Sequence, residues 1–239
     1  MTGYRVILTI DSDSTNYLTK EGFTLYGFKA IATGSKSSQP LVWFADSLYS
    51  TDNDIEWRQD YNTYGAPYKA GDVISSRHEE SINSGEIYRI NQPNGMGPKP
   101  EAQPNPEQNI QVMNNAASGE VYGGLSQKRL NFKEEFRPLN RTELAHGVTV
   151  RIWPVEQILL YFSTAKKSEG SVVTQASTRA IVVNLTDSNL RRIGWSKDNG
   201  WLWDWDESSK TWLSKANWAS RIDSGTDFTS KLILPEPTH

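Results

Sequence analysis

Apolar and polar residues alternate with a period of two along much of this 239-residue chain. Tyr4, Val6, Leu8 and Ile10 interleave with Arg5, Ile7 and Thr9. Successive strand side chains point to opposite faces, so this stretch predicts a strand with one buried side, ending in a turn at Asp11-Ser-Asp-Ser-Thr-Asn16. Further strand signals fall at 23–32, 40–44, 55–57, 72–77, 85–90, 109–113 and 119–122. The strongest runs come later, at 147–153 (stopping at Pro154), 158–162, 171–176 and 179–185. Of these, 148–153, 158–162 and 182–185 combine β-branched and aromatic residues and are the predicted core strands. No helical stripe is sustained beyond about two turns. About a dozen short strands joined by polar turns define an all-β chain, expected to be a single-domain β-sandwich or jelly-roll with long loops spanning 1–239.

Two stretches break the alternation. Residues 92–106 hold five of the eleven prolines, with Gly95 and Gly97. Proline lacks a ladder donor and fixes φ, so 92–106 is expected to be an exposed, irregular Pro/Gly-rich loop within the domain. Residues 125–144 are polar and poorly periodic and read as a second long loop. The glycine-rich Gly119-Glu-Val-Tyr-Gly-Gly124 reads as a turn. By contrast, Asp198-Asn-Gly200 is a strong hairpin signal, because both central positions favour positive φ. It joins a strand near Ile193 and Trp195 to one at 201–206, and Glu207-Ser-Ser-Lys210 turns the chain back to Trp212.

That last region carries six of the nine tryptophans, between Trp195 and Trp218. Trp201, Trp203 and Trp205 alternate with Leu202, Asp204 and Asp206, so one straight strand would place three indoles on one face. Indole is a large apolar plate with a single N–H donor. Such a ladder is either a core seam or a surface that holds something flat. Two readings follow for the surface case besides sugar stacking: indoles at a membrane interface, or anchors of a protein–protein or self-associating surface.

Composition narrows the class. There is no cysteine, and Met1 leads directly into a strand pattern with no leader-like apolar stretch; both favour a soluble protein in a reducing compartment, the cytoplasm. No apolar run exceeds five residues, far short of a membrane span. A net charge of −3 with mixed signs argues against nucleic acid as a partner. A chain of this length buries roughly 70–75% of its unfolded surface and needs no staples.

Reactive chemistry has little support. Asp11, Asp13 and Asn16 have the opening rhythm of a calcium loop, but Asn16 and Gly22 stand where glycine and glutamate are required. The pairs Asp52/Asp54 and Asp204/Asp206 read as solvated surface. His78, His146 and His239 show no metal-ligand spacing. No Gly-x-Ser-x-Gly elbow or phosphate-cradling glycine loop is present. No catalytic residue, metal or cofactor is therefore expected.

Val148-Thr-Val-Arg-Ile-Trp-Pro-Val-Glu-Gln-Ile-Leu-Leu-Tyr-Phe162, residues 179–186, Pro40-Leu-Val-Trp-Phe44 and Ile55-Glu-Trp57 resemble, loosely and over most of the chain, a little-characterised group of soluble, signal-less all-β proteins found in fungi. The resemblance implies a leaderless cytosolic β-protein and carries no functional residue. The expectation from the residues themselves is a binding protein, lectin-like and with a defensive role, whose glycan ligand meets Trp201, Trp203, Trp205, Trp212, Asp204 and Asp206. A membrane-binding or pore-forming β-protein is the alternative, an enzyme of unknown substrate the second, and homo-oligomerisation is open.

Overall fold

A computed structural model describes residues 3–68, 73–74, 77–103, 107–117, 119–130 and 135–238. The chain is all-β. In order, the strands of the first half are β1 (Gly3–Ile10), β2 (Thr24–Ala32), β3 (Gln39–Pro40), β4 (Phe44–Asp46), β5 (Asp52–Arg58), β6 (Tyr61–Pro67), β7 (His78–Ile82), β8 (Glu86–Ile90) and β9 (Glu101–Ala102). Then come β10 (Ile110–Asn114), β11 (Val121–Leu130), β12 (Phe136–Pro138), β13 (Asn140–Leu144), β14 (Thr149–Ser163) and β15 (Ala180–Asn184). The last are β16 (Leu190–Ser196), β17 (Gly200–Trp203), β18 (Trp205–Asp206), β19 (Thr211–Trp212), β20 (Ala219–Ile222) and β21 (Ile233–Leu234). Among the described residues two helices interrupt them, α1 (Ser12–Lys20) and α2 (Thr229–Leu232).

The first sheet has ten strands along the path β17-β16-β1-β5-β11-β13-β3, with β12 and β6 also on β11 and β7 on β6. The second has nine along β20-β15-β14-β10-β8-β9, with β2 on β14, and β4 and β21 on β2. Strands β18 and β19 form a separate ribbon. One apolar cluster joins the two large sheets: Val6, Leu8, Ile55 and Trp57 from the first meet Ile152, Ile158, Leu160 and Val183 from the second. On the opposite face of the second sheet, Phe28, Leu159 and Tyr161 pack against Phe228 and Leu232 at α2. Strands β2 and β14 are thus apolar on both faces, which is why their sequences read as nearly continuous runs.

The predicted core strands 148–153 and 158–162 are one strand, β14, and 182–185 lies largely in β15; Leu160 is fully buried. Strand β14 does not stop at Pro154. Its pairing with β2 shifts register between Pro154 and Ile158, so the proline sits at an irregularity where no ladder donor is needed.

Four expectations are corrected. Asp11-Ser-Asp-Ser-Thr-Asn16 is not a turn but the start of α1: the Asp11 carboxylate accepts from Ser14 N and Oγ, both at 2.8 Å, as an N-cap. Only Ser14 and Leu18 of this helix are buried, so it shows little periodicity. The stretch 125–144 is not a loop but largely the strands β11, β12 and β13. Its pattern is hidden because polar Gln127 and Arg129 are buried, with Gln127 donating to Arg58 O at 2.6 Å and Arg129 to Asp46 at 3.3 Å. Within 119–124, Gly119 bends the chain with φ 90°, but Gly123 and Gly124 belong to β11; a Cβ on Gly124 would lie 2.3 Å from Asn140 O, so glycine there allows a close backbone approach rather than a turn. Residues 171–176 make isolated bridges at Ser171, Val172 and Gln175, not a strand.

The stretch 92–106 is irregular through residue 100, yet parts of it are held. Gly95 is buried against Gly65, and Tyr88 donates to Gly95 O at 3.1 Å. Glu101–Ala102 adds an edge strand to β8. Residues 104–106, like 72, 75–76, 131–134 and His239, lie outside the described residues.

Candidate functional site

The hairpin at Asp198-Asn-Gly200 forms, pairing Trp195 with Trp201 and Ile193 with Trp203, but of its turn only Gly200 takes a positive φ (67°), not Asn199 as expected. The three-indole ladder does not form. Trp201 and Trp203 point inward and are 1% and 8% exposed. Trp201 stacks on Phe162 at 5.4 Å, and its Nε1 donates to Arg179 O at 2.9 Å. Trp203 Nε1 donates to Ala216 O at 2.9 Å. Both are core side chains with satisfied N–H groups.

The alternation is broken at Asp204, whose backbone is left-handed (φ 64°). A left-handed residue redirects the chain, so Trp205 leaves the plane of β17 and pairs with Trp212 in the β18–β19 ribbon. Lys210 in the ribbon's turn and Ser214 at its exit are left-handed too. Among the described residues these three are the non-glycine positions of positive φ. Each costs of order 1 kcal/mol.

The ribbon lies on the outer face of the first sheet. Trp205 and Trp212 meet edge to face, 5.1 Å between ring centroids, and both are half-buried. A Cβ on Gly194 would come within 2.7 Å of the Trp212 ring, so the absence of a side chain at Gly194 admits the indole. Trp205, Trp212 and Leu202 wall an open cleft of about 230 Å³. Its polar rim is Thr9, Asp11, Arg192 and Ser196.

The two predicted acids do not supply the rim. Asp204 Oδ2 accepts from Ala216 N at 3.2 Å. Asp206 accepts from Ser208 N and Oγ at 2.9 and 2.7 Å; with the Ser209 hydroxyl leading, these bonds bring its carboxyl down to about 2. Both carboxylates are therefore engaged in shaping the ribbon. Asp11 takes their place at the cleft. Partial burial pushes its carboxyl up, but the Ser14 bonds and the Lys197 charge outweigh that and hold it below its ordinary value. Bonded to Ser14, it still has acceptor sites on both oxygens.

A second arrangement escaped the sequence reading. Lys29 and Glu156 form an ion pair of 2.7 Å between the two sheets, with side chains 1% and 8% exposed. Trp57 Nε1 donates to the same Glu156 Oε2 at 2.7 Å, and Lys29 Nζ lies 4.4 Å from the Trp57 ring centroid. Glu156 Oε1 accepts from Tyr61 Oη at 3.0 Å and from Gln59 Nε2 at 3.3 Å. Burial alone would raise the Glu156 carboxyl, but Lys29 and the Trp57 and Tyr61 donors outweigh it, so the group is held below the ordinary range. Burial lowers the Lys29 ammonium, and Glu156 restores part of that. Tyr61 is raised well above its ordinary value by burial and by the Glu156 charge.

The signal for this pair was partial. Lys29 shares its side of β2 with Leu25 and Ile31, and Glu156 shares its side of β14 with Ile152, Ile158 and Leu160, all in the inter-sheet cluster. Each charge interrupts an otherwise apolar stretch, but both faces of these strands are apolar, so their meeting followed only from β2 and β14 being neighbours.

Among the described residues, no cluster of three or more metal-ligating side chains is present, and no helix is long and apolar enough to cross a membrane. No protein-family model, curated protein or solved structure matches the chain.

Proposed function

We propose that this chain is a carbohydrate-binding, lectin-like protein of the cytoplasm, and that its ligand docks in the Trp205–Trp212 cleft. The supporting observation is the ribbon itself: two indoles are carried out of the core, through three left-handed residues, to wall an open cleft. Unfavourable backbone held in place by its surroundings concentrates at functional sites. Indole faces take the C–H face of a sugar ring, while Asp11 and Thr9, whose hydroxyl donates to Asp52, accept from its hydroxyls and Arg192 donates. Trp201 and Trp203 serve this site from behind by fixing β17.

A glycan array read with the parent and Trp212→Ala proteins tests this. Selective glycan binding that disappears in Trp212→Ala, with the thermal midpoint kept, supports the reading. Absence of any glycan signal, or binding indifferent to Trp212, overturns it. Flotation with neutral and anionic liposomes on the same pair separates the membrane-binding alternative, since Leu213 beside Trp212 is 42% exposed.

A further inference from the structure

We infer that the chain has a second ligand site, over the Lys29–Glu156 pair, for a neutral hydroxyl-bearing small molecule. It does not rest on the role assigned to the tryptophan cleft. A cavity of about 640 Å³ opens at the end of the inter-sheet core. Its floor is Gln59 and Tyr61, the two residues that bond Glu156 Oε1. The size falls within the ~300–1,000 Å³ of small-molecule sites.

The lining decides the class of ligand. Trp153, Pro154, Val155 and Ile82 give apolar walls. Asn83, Ser84, Gln108 and Gln59 supply amides and a hydroxyl, each both donor and acceptor. Among the described residues none that lines the cavity is charged; of the carboxylates nearby, Glu156 beneath is neutralised by Lys29 and Glu86 is bonded to Asn83 N and Nδ2. Neither an anion nor a cation therefore meets a net counter-charge there to offset its lost hydration. A neutral polyol has none of that cost, and its C–H face suits the Trp153 and proline walls.

One contact gives the ligand a place to anchor. The bond from Gln59 Nε2 to Glu156 Oε1 is long, 3.3 Å, and the exposed Gln59 amide has a second, shorter bond to Tyr4 Oη at 3.1 Å that it keeps when it leaves Glu156. A ligand hydroxyl replaces that amide and donates to Glu156 Oε1, a charge-assisted bond stronger than one between neutral groups. The carboxylate stays ionised because Lys29, Trp57 and Tyr61 keep their bonds to it. Along β1, Tyr4, which touches Gln59, and Thr9, which borders the tryptophan cleft, are five residues apart, roughly 17 Å in a strand. The two sites are therefore separate, and the chain has two ligand positions.

The test is an NMR titration of the full chain with glucose, and with glucosamine and glucuronate as its cationic and anionic counterparts. Signals to follow are the Gln59, Asn83 and Gln108 side-chain amides and the Trp153 indole, with the Trp205 and Trp212 indoles reporting on the other cleft. Saturable shifts of the first set with glucose, at a Kd of about 1 mM, are expected, with both charged sugars about tenfold weaker. Ser84→Trp, at an exposed turn beside the cavity, should abolish them, and Trp212→Ala should leave them intact. No shift of the first set with glucose overturns the inference, as does equal binding of either charged sugar or binding that survives Ser84→Trp. Shifts confined to Trp205 and Trp212 would overturn this site while leaving the tryptophan cleft standing.

Discussion

Trp203 and Trp205 are two residues apart in sequence and belong to different parts of the molecule. Trp203, with Trp201, is sealed between the sheets, its N–H spent on a backbone carbonyl. Trp205 stands half-buried on the outer face, against Trp212. Residue type and local composition are the same for both pairs. One backbone angle at Asp204 separates them, and it is held by bonds from distant residues: Leu213 N to Asp204 O at 3.0 Å and Ala216 N to its carboxylate. An identical side chain is structure on one side of that kink and an available surface on the other.

The comparison breaks first in the core. Trp201→Ala should destabilise the chain by about 3–5 kcal/mol, read as a lower urea midpoint with the slope unchanged. A Trp201→Ala protein as stable as the parent would contradict its place in the core.

Lys29→Met should cost a similar or slightly smaller amount, about 3–5 kcal/mol, because Glu156 is left buried without its counter-charge. The double variant Lys29→Met/Glu156→Leu should recover much of that loss. Acid unfolding carries the sign. Glu156 has a folded value below its ordinary 4.5, so the stability it adds is fully present above that pH and is lost as pH falls through the folded value. The double variant should show a flatter acid limb between about pH 5 and 2. An unchanged limb would mean the carboxylate contributes no such linkage.

Asp204 sharpens the boundary. Asp204→Ala forces alanine into left-handed backbone and removes the bond to Ala216 N, so about 1–2 kcal/mol should be lost. Asp204→Gly should lose less, since glycine accepts that φ. Equal losses would show that the backbone angle is not the determinant.

The smallest effects lie on the outer face. Trp212→Ala removes an edge-to-face pair worth about 0.5–1.5 kcal/mol beyond its burial. Gly194→Ala meets only the edge of a half-buried indole and should stay within about 1 kcal/mol, yet displace Trp212 enough to impair glycan binding. A fall of several kcal/mol in either would place the ribbon with the core.

Much of the architecture was legible from period alone. The alternations of β1 and β5 and the dense apolar run of β14 each bury the side their patterns indicate, because strand side chains have only two directions to point. The Asp198-Asn-Gly200 hairpin was equally local: its turn depends on residues within the turn. Where buried side chains are polar, local pattern failed. Gln127 and Arg129 hide β11 from a hydrophobicity reading, since what makes their burial tolerable is a set of partners (Asp46, Asp54, Arg58) far away in the chain. The candidate sites divide in the same way. The sequence by itself determined that indoles gather between Trp195 and Trp218. Only the tertiary structure decided which indoles reach the surface, that Asp11 rather than Asp204 or Asp206 faces the cleft, and that Lys29 and Glu156 meet. Each of those outcomes depends on contacts between strands remote in sequence, and a period of two carries no information about which strands become neighbours.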